Sequence, residues 1–131
     1  MSIQTFTDEL AAVVLPGVRT RYPDLPRELA DRELPASWVD MPSATIRPGD
    51  PYGTFAESGV SYSAQLFVAV SPVTEGLPDD QRAAMLTMAA GIEAWVRETI
   101  YEVVIQTAPR IPVGSREYRG VVVAVTLPDL T

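Results

Sequence analysis

Residues 77–100, LPDDQRAAMLTMAAGIEAWVRETI, hold an unbroken helical pattern between segments that alternate with period two. Met85, Met88, Ala89, Ile92, Trp95, Val96 and Thr99 recur at three- and four-residue spacing and so share one face. Arg82, Glu93, Arg97 and Glu98 fall mostly on the other. Asp79 and Asp80 follow Leu77-Pro78; an Asp there caps a backbone N–H and suits the positive end of the helix dipole. Gly91 interrupts the pattern at a cost of about 1 kcal/mol relative to Ala. It marks either the close approach of another backbone or a small residue tolerated in a helix held by packing. A helix with one apolar face, flanked by strands, needs a sheet to lie on, and this points to an α+β fold.

The strand signals are correspondingly clear. In residues 58–71, Val60, Tyr62, Ala64, Leu66, Val68 and Val70 alternate with Ser61, Ser63, Gln65, Phe67 and Ala69. The first set should face the core. Phe67 and Ala69 make the far end apolar on both faces, so something must cover it, and Pro72 stops the strand. Residues 117–127 alternate likewise and are dominated by β-branched Val. Residues 101–107 predict a third strand, followed by a loop containing Pro109, Pro112 and Gly114. Residues 37–46 predict a first strand; Pro42 inside it demands an edge position or a bulge.

Near the start, Thr5 or Thr7 can cap a short helix with Asp8 and Glu9 in its opening turn. Leu10, Val13 and Val14 would form its stripe, and Pro16-Gly17 would end it near Leu15. Residues 18–35 read as a solvated surface connection with one short turn at 27–32, Glu28 and Asp31 among its charges. The expected architecture is a single domain over 1–131, with a four-stranded, mainly antiparallel sheet and two main helices packed on one face. The 58–71 and 117–127 strands form its central pair.

The chain has 131 residues, 47% of them hydrophobic, enough for a core of its own. It contains no cysteine and no histidine. That removes disulfides, a thiol nucleophile, and the commonest general base and transition-metal ligand. Ser61 and Ser63 have no His to activate them, so a Ser-His-Asp hydrolase is excluded. No catalytic residue, cofactor or metal is expected. The least implausible carboxylate site is Asp40, Asp50 and Glu57. The net charge of −7 argues against generic nucleic-acid binding. All ten basic residues are Arg, as a GC-rich genome favours. No signal-peptide pattern or apolar run of membrane-spanning length is present, so synthesis in the cytoplasm is expected.

Residues 47–57, RPGDPYGTFAE, form a loop by composition that lacks the Lys and glycine spacing of a phosphate cradle. Its aromatics either dock on a neighbouring molecule, with the loop projecting as a hairpin arm, or fold back on the core. The candidate protein-interface residues are Arg47, Asp50, Tyr52 and Phe55, with Trp38, which serves as a core anchor or an interface residue.

Across residues 5–127 this order of elements resembles the tail terminator (tail completion) proteins of long-tailed, siphovirus-type phages. The resemblance is carried by LPASWVDMPSATIRPGDPYGTF, by SYSAQLFVAVSP, and by PDDQRAAMLTMAAGIEAWVRETI with the closing YRGVVVAVTLP. Neighbouring head–tail connector proteins share much of the pattern. The resemblance implies a non-catalytic virion protein of the phage neck. It would form a ring, usually of six copies, on the last ring of tail-tube protein, ending tube growth and joining the head connector. DNA would pass through its acidic lumen without specific binding. Replacing Tyr52 and Phe55 with Ser should then abolish assembly without unfolding the monomer. The competing readings are an enzyme or ligand-binding domain, or an adaptor that binds one protein partner at fixed small stoichiometry.

Overall fold

The computed structural model describes residues 2–47, 59–74 and 78–127. The fold is α+β. Helix α1 (Ile3–Ala11) leads to strand β1 (Thr20–Tyr22) and a 3₁₀ turn at Asp31–Glu33. Strand β2 (Ala36–Arg47), strand β3 (Gly59–Pro72), helix α2 (Asp79–Val96), strand β4 (Glu102–Val113) and strand β5 (Arg116–Leu127) follow. The sheet has five strands in the order β1-β2-β3-β5-β4. All pairings are antiparallel except β1 with β2, which is parallel and covers only Ala36, Ser37 and Trp38.

The fifth strand corrects the four-stranded expectation. Thr20–Tyr22 is three residues long, too short to show a period of its own, and lies among prolines and charges. The expected central pair is present: β3 and β5 run together from Tyr62 opposite Leu127 to Pro72 opposite Tyr118.

Both helices lie on one face of this sheet. Phe6 and Leu10 of α1 and Met88 and Ile92 of α2 share a core with Val39, Tyr62, Ala64, Leu66, Val68, Val121, Val123 and Val125. This is the face set by the period-two alternation. The α2 stripe runs through Met85, Met88 and Ile92 as the spacing predicts. Its N-cap position is Pro78, so Asp79 and Asp80 occupy the first turn and act on the dipole without capping a backbone N–H.

Helix α1 starts earlier than expected. Ser2 is the N-cap, its Oγ accepting from the Thr5 N–H at 3.1 Å. The helix therefore ends at Ala11 and buries Phe6 and Leu10, with Leu15 buried beyond its end. Val14, placed on the stripe by spacing, is 71% exposed.

The opposite face carries a second core at one end: Leu29, Leu34, Ala36, Trp38, Ala69, Ile111, Val113 and Tyr118. Here lies the cover that Phe67 and Ala69 required. It comes from the charged segment before β2, which is not merely a solvated connection. Leu29 and Leu34 fold down onto the sheet, and the Tyr118 hydroxyl donates to the Leu29 carbonyl at 2.9 Å. Arg116 pairs with Asp31 at 3.2 Å at the rim. Gly114, at φ +62°, turns the β4–β5 hairpin where a Cβ would lie 2.4 Å from the Arg27 carbonyl oxygen. Two hydrophobic anchors in a polar stretch give no periodicity, which hides this cover in the sequence.

β4 runs six residues past its expected end, through Pro109 and Pro112. A bulge between Ala108 and Ile111 absorbs Pro109, and β4 is an edge strand, where a missing N–H is tolerated. Pro42 behaves as its chemistry requires: β2 bulges between Asp40 and Ser43, with Met41 at φ +50°.

Candidate functional site

The polar side chains of the described residues are largely committed to structure. The Asp40 carboxylate accepts from the N–H of Met41 at 2.9 Å and thus belongs to the bulge. Asp31 pairs with Arg116, Glu93 with Arg97 at 2.9 Å, and Glu117 with Arg110 at 3.2 Å. Glu33 accepts from the Tyr22 hydroxyl and from the Ala30 N–H. The Ser63 hydroxyl lies 3.3 Å from that of Thr126 across the β3–β5 pair. Among the described residues no three acidic side chains gather as metal ligands. Asp50 and Glu57, the other members of the carboxylate set considered with Asp40, lie outside the described residues. Burial, and then the nearby charge of Glu9, push the Tyr101 phenol above its ordinary range.

Arg119 is a polar centre that sequence reasoning missed. It is 5% exposed. Its guanidinium donates to Gln81 Oε1 at 2.6 Å, to the Thr74 carbonyl at 3.0 Å and to the Pro109 carbonyl at 3.4 Å. It thus ties the exit of β3, the first turn of α2 and the β4 bulge together. Gln81 Nε2 closes the network on the Pro72 carbonyl at 3.2 Å. An Arg two residues ahead of the valine run, in phase with Val121 and Val123 where the alternation calls for an apolar residue, was the available signal.

The features left over are surfaces, and they lie on the two sides of the sheet. On one side, β1 covers the edge of β2 only as far as Trp38, and the Met41-Pro42 bulge follows. Among the described residues, 43–47 then form an uncovered edge. Past Tyr62, among the described residues, β3 pairs with β2 alone, and the two strands run on as a two-stranded ladder. Ile46 at 72% and Val60 at 37% exposed face each other on it. On the other side, β4 from Glu102 to Ala108 is an open edge with Val104 58% exposed. Beside it, between β4 and α2, runs an open groove of about 960 Å³ lined by Leu86, Ala89, Ala90, Glu93, Val103 and Ile105.

Of the five candidate interface residues, Trp38 is 1% exposed and stacks on Phe67 at 5.7 Å between ring centroids. The monomer uses it as a core anchor, not as a surface residue. Its indole N–H finds no acceptor among the described residues. Arg47 ends β2, paired with Gly59 in that ladder. Asp50, Tyr52 and Phe55 lie outside the described residues. Gly91, read as either a close approach or a tolerated small residue, meets Pro16, whose Cβ lies 3.5 Å and carbonyl oxygen 3.9 Å from where a Cβ would stand, which is ordinary contact. Close approach falls on Gly120 instead. There the β3 bulge brings the Val68 carbonyl oxygen to 1.8 Å from a Cβ position. No helix of the described residues is long and apolar enough to cross a membrane.

Comparison with family models, with curated proteins and with solved structures found no match to this chain.

Proposed function

We propose that this chain is a structural phage protein of the tail-terminator type, a non-catalytic subunit that assembles into a ring, usually of six. The ring would cap the tail tube, stop its growth and offer its other surface to the head connector. The observation that carries this reading is the pair of uncovered, partly apolar edges on opposite sides of one sheet. An exposed edge is a template for another strand, and monomeric proteins guard theirs. Two different edges on opposite sides form a heterologous contact, which closes into a ring when the rotation between copies divides the circle.

The order of elements and the acidic composition support the same reading. A net charge of −7 suits a lumen that DNA traverses without adhering. An enzyme has less to stand on, since Asp31, Asp40 and Glu33 are engaged in structural contacts. A neighbouring head–tail connector shares the same physics and differs in what it binds.

The experiment is tube polymerisation in vitro, with and without this protein. A terminator yields shorter tubes capped at one end. A connector or adaptor leaves the tube-length distribution unchanged, and that result would remove the terminator reading.

A further inference from the structure

Among the described residues the two uncovered edges match in face, and the five residues of one can pair with five of the other. On β4, residues 102–108 precede the bulge and the prolines 109 and 112. On β2, residues 43–47 follow the bulge and Pro42. Bulges and prolines are the usual guards of sheet edges, so these two stretches are where each edge is left open. We infer that residues 43–47 of one copy pair antiparallel with residues 102–106 of the next, extending the sheet from subunit to subunit. This inference rests on the ring reading above and specifies its contact.

Strand direction permits it. β2 and β4 run oppositely within one sheet, because three antiparallel steps separate them. A copy placed beside another by rotation therefore offers its β2 antiparallel to the first copy's β4. Apolar matching then selects the register. Setting Ile46 opposite Val103 places an exposed apolar residue beside one that packs on the main core. The same register sets Ala44 beside Ile105.

These four share the helix-covered face of the sheet. Val103 and Ile105 pack against the main core there, and Ala44 lies opposite Tyr62 of that core. Ile46 thereby enters the groove lined by Leu86, Ala89 and Ala90. A one-residue slip would turn Ile46 to the other face and lose both matches. The ladder ends where Met41-Pro42 of the β2 bulge meets Thr107-Ala108, the last regular residues before the β4 bulge.

Within one subunit Glu102 lies level with Ser43, through Thr126 and Ser63. Pairing it with Arg47 of the neighbour staggers the copies by four residues over the four strands from β2 to β4. With ordinary strand rise and spacing this tilts the strands by about 35°, the tilt at which closed sheets stand.

The chain has no cysteine, so introduced thiols report the contact without background. Thr45→Cys and Val104→Cys fall opposite each other in this register, and both positions are exposed. Within one copy they lie three strand spacings apart and about four residues out of level, about 19 Å, beyond the reach of a disulfide. The T45C/V104C protein, oxidised at a concentration where the wild type is assembled, should give a non-reducing ladder that stops at the ring size. T45C/Gln106→Cys, two residues out of register, should give at least fivefold less cross-linked product. An assembled T45C/V104C protein that stays uncross-linked, or cross-links no better than the out-of-register control, overturns this contact and leaves the ring standing. A wild-type protein that remains monomeric alone and with tube protein overturns both.

Discussion

Two glycines should respond to the same substitution with opposite sign. At Gly120, in the central strand β5, an added Cβ would sit 1.8 Å from the Val68 carbonyl oxygen and 2.9 Å from its carbonyl carbon. Ordinary contact begins more than an ångström further out. The clash is with backbone, so no side chain can rotate away. Relief requires β3 and β5 to separate in the middle of the sheet, where Val68 and Val121 are fully buried. Overpacking of this kind, combined with lost ladder bonds, destabilises by about 3 kcal/mol or more. For a domain of this size that lowers Tm by roughly 10 °C.

At Gly91 the same methyl group meets Pro16 Cβ at 3.5 Å, an ordinary contact, in the interior of α2. Gly91→Ala should therefore gain up to about 1 kcal/mol of helix propensity, or roughly 3–4 °C. Thermal unfolding followed by circular dichroism, with urea titration to check that m is unchanged, reads both. A Gly120→Ala protein within 0.5 °C of wild type would refute the placement of the β3 bulge. A Gly91→Ala protein less stable than wild type would refute the open packing of α2 against the Pro16 turn.

Other outcomes follow from the same contacts. Tyr118→Phe leaves the Leu29 carbonyl without its donor in the second core and should cost about 1–2 kcal/mol in urea unfolding. Arg119→Met removes the buried guanidinium's bonds to Gln81, Thr74 and Pro109 and should cost about 1–2 kcal/mol, with amide exchange at the start of α2 rising first. Ile46→Asp changes an exposed residue, so monomer Tm should hold within about 2 °C while assembly is lost by light scattering. The Tyr101 phenol titrates above its ordinary value in the folded protein. Its contribution to stability is complete below the unfolded value near 10 and is lost as pH rises through the folded one. Tyr101→Phe should therefore flatten the alkaline fall in stability, with one late-titrating phenol missing from the absorbance titration.

The elements with period were legible in the sequence. The β3 alternation, the valine run of β5 and the apolar stripe of α2 all lie on the faces their spacing assigns. Pro42 announced the β2 bulge because a missing N–H leaves few alternatives. What escaped was set by single residues without a repeat. Leu29 and Leu34 anchor the cover of the second core from within a charged stretch. Ser2 captures the first helix ahead of Thr5. Arg119 reads as an interruption until Thr74, Gln81 and Pro109 are brought around it. Pro109 and Pro112 suggested a loop because their tolerance depends on β4 being an edge, which is a property of the sheet and not of the segment. Of the candidate interface residues, Arg47 stands at the end of β2, whereas Trp38 belongs to the core.

The most direct measurement of the central proposal is solution mass by multi-angle light scattering across a concentration series, alone and with tail-tube protein. The ring proposal predicts a single closed multiple of the 14.2 kDa subunit, most simply six, in at least one of these conditions, with no larger species as concentration rises. A protein that stays monomeric throughout, or grows without limit into open filaments, would contradict it.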